Sequence, residues 1–211
     1  MRMPGQSWAD AALTFFGMWT VMMVAMMLPA LTAQLWRYRE AFGNLDNTRL
    51  NGLTALVGLG YFAVWSALGL AVFPIGAALA TLAMQWPDLA RAVPLVMGAI
   101  VVLAGAVQFS AWKARHLACC RARPAHAALP IDAASAWRYG VRLGRHCSYC
   151  CAGLTAILLV VGVMDLRAMA VVAAAIIVER MAPAGKRVAR AIGAVTIAVG
   201  LFLIVHAGWF G

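Results

Sequence analysis

The sequence predicts an all-α, polytopic transmembrane helical bundle of about six spans, and three observations predict it. Hydrophobic residues make up 64% of the 211 and Asp, Glu, Lys and Arg only 11%, with a mean hydropathy of +0.86, against about 45–50% and about 25% in soluble domains. The apolar residues run through the whole chain from Ala11 to Phe210, in stretches that repeatedly approach the roughly 20 helical residues needed to cross a hydrocarbon core. The 17 basic residues, against 7 acidic ones for a net charge of +10, fall in the connections between those stretches. A nucleic-acid platform would interleave them with aromatics on a polar surface, so nucleic acid is excluded as a partner and the lipid bilayer takes its place.

The first span covers 11–35. The second runs from about Gly52 to Met84, longer than one crossing needs, with Pro74 inside it; with no polar turn to divide it, one kinked or tilted helix is expected rather than two. The polar patch Gln85, Trp86, Pro87 and Asp88 ends it. The third span covers 92–112, the fourth 147–163, the fifth 166–177 with an extension through Glu179 and Arg180 if those side chains reach the interface, and the sixth 188–206. The whole chain, 1–211, reads as one integral membrane domain, and 113–145 as a basic loop containing Cys and His residues. Within it 118–136, with Pro124 and Pro130, is the expected flexible stretch.

Basicity alternates between the connections. Arg37, Arg39 and Arg49 lie in the first, Lys113, Arg115, Arg121, Arg123, Arg138, Arg142 and Arg145 in the third, and Arg180, Lys186, Arg187 and Arg190 in the fifth, against Arg2, Arg91 and Arg167 elsewhere. The positive-inside rule then expects both termini in the periplasm of a bacterial inner membrane and the 113–145 loop in the cytoplasm. The first span is not expected to be a cleaved signal peptide, because Asp10 precedes it, the apolar run is too long and the arginines follow it.

All five cysteines fall in two groups, Cys119 with Cys120, and Cys147, Cys150 and Cys151. On a helix the later three stand at i, i+3 and i+4, which brings their thiols to one face, and His146 joins the rim four residues before Cys150. In a reducing cytoplasm thiols persist as thiols, and thiolates with imidazole suit soft or borderline ions, copper(I) first and zinc second. Arg142, Arg145 and the amides of a helix starting near Cys147 are expected to favour the thiolate. Cys119 or Cys120 closes the shell when the preceding segment folds back. His116 and His126 are weaker candidates from the same connection, and His206 stands out as an ionisable group in an apolar run.

Span one carries thioethers in two neighbouring ridges, Met18, Met22 and Met26, and Met23 and Met27. Such a stripe packs well as plain core, while thioethers also select copper(I); the first ridge is the candidate path. Asp165, before Arg167, suits a helix cap, an ion pair or a path mouth, and a buried Glu179 would demand a cationic partner. No nucleophile triad, Walker loop, dinucleotide glycine pattern or HExxH appears, so binding is favoured over catalysis.

Four segments in order resemble the signatures of a bacterial family known as predicted metal-binding integral membrane proteins, a domain of unknown function. The run from Met18 through Met26, Met27 and Pro29 is similar to its first-helix AMMxP signature. Gln108 to Lys113 resembles a YQxxPLK segment, with Cys119 in the loop after it. Cys147, Cys150 and Cys151 match CxGCC, with Tyr149 in place of the glycine. Gly162 to Met169 resembles GVMNLxWM, with Asp165 for the asparagine and Ala168 for the tryptophan, and Glu179–Arg180 falls where the family has EK. The resemblance covers about 18–183 and implies a helical membrane fold that associates with metal.

The first functional reading is therefore a copper-handling membrane protein for transport or delivery, partnered by a metal chaperone or a larger membrane complex. A non-catalytic assembly subunit is the second, suggested by small-residue tracts such as Ala77, Ala78 and Ala80 or Ala173, Ala174 and Ala175. A membrane thiol oxidoreductase using Cys147 and Cys150 is the third.

Overall fold

The computed structural model describes residues 7–43, 45–121, 132–162 and 165–210, the side chains of 87–91, 121 and 210 excepted. These form an all-α bundle: α1 (Trp8–Ala41), α2 (Asn47–Gln85), α3 (Pro87–Val107), α4 (Ala111–Arg121), α5 (Ala133–Val161), α6 (Leu166–Met181) and α7 (Gly185–Phe210). By length and hydropathy α1, α2, α5 and α7 qualify as membrane spans, and α3 with α4 makes a fifth if that bent pair is one span. The fifth expected span falls on α6, whose 16 residues are too few to qualify, so four or five of the six expected spans are found among the described residues. Leu13, Val21, Leu59, Leu70, Val171 and Phe202 are among the large apolar side chains on the outside, as a lipid-facing surface requires.

Local signals fix the ends. Ser7 and Asp10 form a capping box, Asp10 N donating to Ser7 Oγ at 3.1 Å, which starts α1 three residues ahead of the apolar run. Asp46 caps α2 by accepting from Thr48 N. Asp165 caps α6, accepting from the amides of Arg167 and Ala168 at 2.8 and 3.2 Å. Pro74 lies within one continuous α2, as expected. Gly162, at φ +128°, ends α5 in a backbone region that favours glycine.

The third span departs from a straight helix. After Val107 the chain breaks at Gln108–Ser110 and turns by 66° into α4. Ser110 restarts the helix, its Oγ accepting from Lys113 N at 3.1 Å. The expected 113–145 loop is thus helical at both ends, in α4 and in the first turns of α5; 122–131, with His126, Arg123, Pro124 and Pro130, lies outside the described residues.

Small residues set which helices meet. A Cβ on Gly140 would stand 2.2 Å from the Val57 carbonyl oxygen and one on Gly144 2.8 Å from that of Tyr61, so this GxxxG face lets α2 and α5 touch backbone to backbone. Pairing of 57 with 140 and 61 with 144 means the two run in the same direction. Gly98 faces Gly200 and Gly105 faces Gly193, which sets α3 antiparallel to α7. Phe15 packs on Phe73 and Trp19 Nε1 donates to the Trp65 carbonyl, so α1 and α2 are antiparallel. The alanine tract 77–80 is largely exposed, whereas Ala173 and Ala175 pack against the core.

Candidate metal centre

The main core contains the sulfurs. Met22, Met23, Met26 and Met27 of α1, Tyr61 of α2, Cys120 of α4 and Cys147, Cys150 and Cys151 of α5 belong to one buried cluster. Successive Sγ contacts run from Cys120 to Cys150 (3.9 Å), to Cys151 (3.6 Å) and to Cys147 (4.0 Å). A tetrahedral ion with metal–sulfur bonds near 2.3 Å holds its sulfurs about 3.8 Å apart, so these pairs are spaced as ligands. Among the described residues, however, no group of three or more His, Cys, Asp or Glu side chains is arranged to hold a metal ion; the thiols form a contact chain.

Three further side chains close the cluster. Cys147 Sγ lies 4.0 Å from Met27 Sδ and 2.8 Å from the Tyr61 hydroxyl. Arg180 of α6 donates through one terminal nitrogen to Cys120 Sγ and Cys150 Sγ, each at 3.5 Å, and its Nε is buried with no hydrogen-bond partner among the described residues. A guanidinium touching two sulfurs compensates negative charge on them. Gln34 Nε2 donates to the Cys120 carbonyl and so ties α4 to α1.

The geometry brings some of the candidate residues together and sets others apart. α5 begins at Ala133, so Cys147 sits in its interior, where the amides are spent on helix bonds rather than free to act on a thiolate. Arg142 and Arg145 are exposed, and the cation at the thiols is Arg180. Cys120 rather than Cys119 reaches the later cysteines, because adjacent residues on α4 diverge by about 100°; Cys119 is exposed. Met18 is half-buried and Met22 and Met26 pack in the core, while the thioether next to a thiol belongs to Met27, on the neighbouring ridge. His146 does not join the thiols: its Nδ1 meets His116 Nδ1 at 3.0 Å. His206 lies on the exposed side of α7 against Phe202.

Glu179 has the partner its burial demands. Lys113 Nζ donates to both Glu179 oxygens at 3.0 and 2.8 Å and also to Gln108 Oε1, and all three residues are buried. The pair locks α4 to α6 just past the bend and so holds Cys120 and Arg180 in register. Tyr61 carried no signal in the sequence beyond being the one tyrosine of its apolar run; the clue to it was the glycine pair at 140 and 144, which puts α2 against α5 one turn before Cys147.

The fold and this site define a polytopic helical membrane protein with a buried cluster of thiols and thioethers. A family model described as PpoB2, copper chaperone, matches residues 16–203, and the chain belongs to that family. No curated protein and no solved structure matches it.

Proposed function

We propose that the protein binds copper(I) as cargo between α1, α4 and α5 and passes it on, acting as a carrier rather than as an enzyme. The observation that carries this reading is the contact chain of Cys120, Cys150, Cys151 and Cys147 ending 4.0 Å from the Met27 thioether. Thiolates and a thioether together select copper(I) over harder ions, with zinc as the competing cargo. Arg180 offsets the charge of the bare thiolates and turns aside as the ion arrives, and small rotations of Cys147 and Cys120 close two or three sulfurs around it. Release needs a site that is not over-coordinated, which the strung-out arrangement favours.

The orientation follows the positive-inside rule, with the chain in a bacterial inner membrane, both termini periplasmic and the thiols toward the cytoplasmic end. Helix directions are compatible with six crossings: α2 and α5 run the same way, so the chain between them, which begins with α3, returns to the side where α2 began. A soluble metal chaperone or a larger membrane complex receives or supplies the ion. The test is competitive copper(I) titration of purified protein in detergent, expected to yield one tightly held ion; copper below about 0.2 equivalent after reconstitution, or equal affinity in wild type and the Cys147→Ser/Cys150→Ser variant, overturns the reading.

A further inference from the structure

We propose that His116 and His146 form a separate, outer copper-accepting site through which the ion reaches the thiols. The proposal rests on the copper reading above and extends it to the route of loading. On α4, His116 precedes Cys120 by four residues; on α5, His146 precedes Cys150 by four. Both helices present these pairs to each other, so the His116–His146 contact at 3.0 Å and the Cys120–Cys150 contact at 3.9 Å are two rungs of one ladder, about one helical turn, 5.4 Å, apart.

The two rungs differ in access. Cys120 and Cys150 are buried, whereas both histidines are half-buried. Trp112 and Tyr149, each about two-fifths exposed at 39% and 41%, pack on His116 with ring centroids at 4.7 and 5.1 Å and hold its ring toward His146. Cys119, exposed and three residues after His116, lies on the same side of α4. An ion bound by two imidazole nitrogens at about 2.0–2.1 Å in a tetrahedral shell separates them by about 3.3 Å, and a more open angle separates them further. The observed contact, a hydrogen bond at 3.0 Å, is a few tenths of an ångström shorter, so the two rings part slightly to admit the ion.

Loading is ligand exchange without electron transfer. In the empty pair one Nδ1 carries the hydrogen shared with the other; on binding, that proton moves to the Nε2 of its own ring, freeing both Nδ1 lone pairs with no net proton change. The bond between copper(I) and the donor's thiolate breaks as the copper–nitrogen bonds form, and the thiolate leaves with the donor. Cys120 and Cys150 then take the ion one turn further in as thiolates: copper–sulfur bonds form as the copper–nitrogen bonds break, any thiol proton passes through solvent to the departed donor thiolate, and the histidines are vacated.

The experiment loads detergent-purified full-length protein with the copper(I)–glutathione complex in a stopped-flow instrument and separately measures equilibrium affinity. For His116→Gln/His146→Gln the expected result is equilibrium affinity within about twofold of wild type and loading slowed by about tenfold or more. His116→Gln alone, a change on the half-buried outer face, provides the same comparison should the double variant fold poorly. In Cys120→Ser/Cys150→Ser, X-ray absorption is expected to find copper with nitrogen ligands. Wild-type loading rates in both histidine variants, or no nitrogen-bound copper in the thiol variant, overturn the outer site and leave the thiol site standing. A wild-type protein that takes up no copper overturns the thiol site and this proposal together.

Discussion

Cys120 and Cys150 stand 30 residues apart in the chain and 3.9 Å apart through their sulfurs, with one nitrogen of Arg180 touching both at 3.5 Å. This three-helix contact of α4, α5 and α6 joins the early cysteine pair to the later triplet, and it orders the expected effects of substitution.

Among the early pair, Cys120→Ser is expected to lower copper(I) affinity by about tenfold or more, and Cys119→Ser to leave it within about twofold. Competitive titration of the two variants checks this directly, and equal losses would mean that the two cysteines are interchangeable ligands.

The methionines are expected to split in the same way. Met27→Leu keeps volume and costs less than about 1.5 kcal/mol of stability, yet removes the only thioether shown beside a thiol among the described residues. Its copper(I) affinity should fall, while Met22→Leu and Met26→Leu retain that of wild type. Affinity and thermal unfolding measured on the same samples separate ligand loss from packing loss.

Lys113 and Glu179 are a buried ion pair, so removing one partner strands the other. Lys113→Met is expected to destabilise the bundle by about 3–5 kcal/mol, and the double change Lys113→Met/Glu179→Leu to recover much of the loss. Denaturant titration in detergent reads both; a double variant no better than the single would show that the pair does more than neutralise charge.

Close helix approach gives a steric test. Gly140→Ala places a Cβ against the Val57 carbonyl and should cost about 1–3 kcal/mol, moving Tyr61 away from Cys147. Gly58→Ala, where nothing among the described residues lies within 4 Å of the added Cβ, should be neutral or stabilising by up to about 1 kcal/mol through helix propensity. Thermal unfolding of the pair decides.

Orientation is read through Cys119, the exposed cysteine. A membrane-impermeant maleimide should label it in inside-out vesicles and spare it in right-side-out ones. Labelling from the periplasmic side would invert the proposed topology.

What the sequence by itself determined is what depends on neighbours along the chain. Composition set the membrane class; the apolar runs located α1, α2, α5, α6 and α7, with ends off by a few residues where caps such as Ser7 extended the helix, and by fourteen at the start of α5, whose polar first turns carry no apolar signal. Spacing of 3.6 residues per turn put Cys147, Cys150 and Cys151 on one buried face, as a helix must. Tertiary structure decided everything that crosses between helices. The 66° turn at Gln108–Ser110 and the Lys113–Glu179 pair swing α4 over α5, which selects Cys120 over Cys119 and joins His146 to His116 rather than to the thiols. The Gly140–Gly144 face brings in Tyr61, the facing of α1 chooses Met27 over Met26, and α6 delivers Arg180 where Arg142 and Arg145 had been expected. Helical periodicity fixes which side chains share a face, but the angle and depth at which two faces meet come from close backbone contacts and buried pairs far apart in sequence, and no local pattern encodes those.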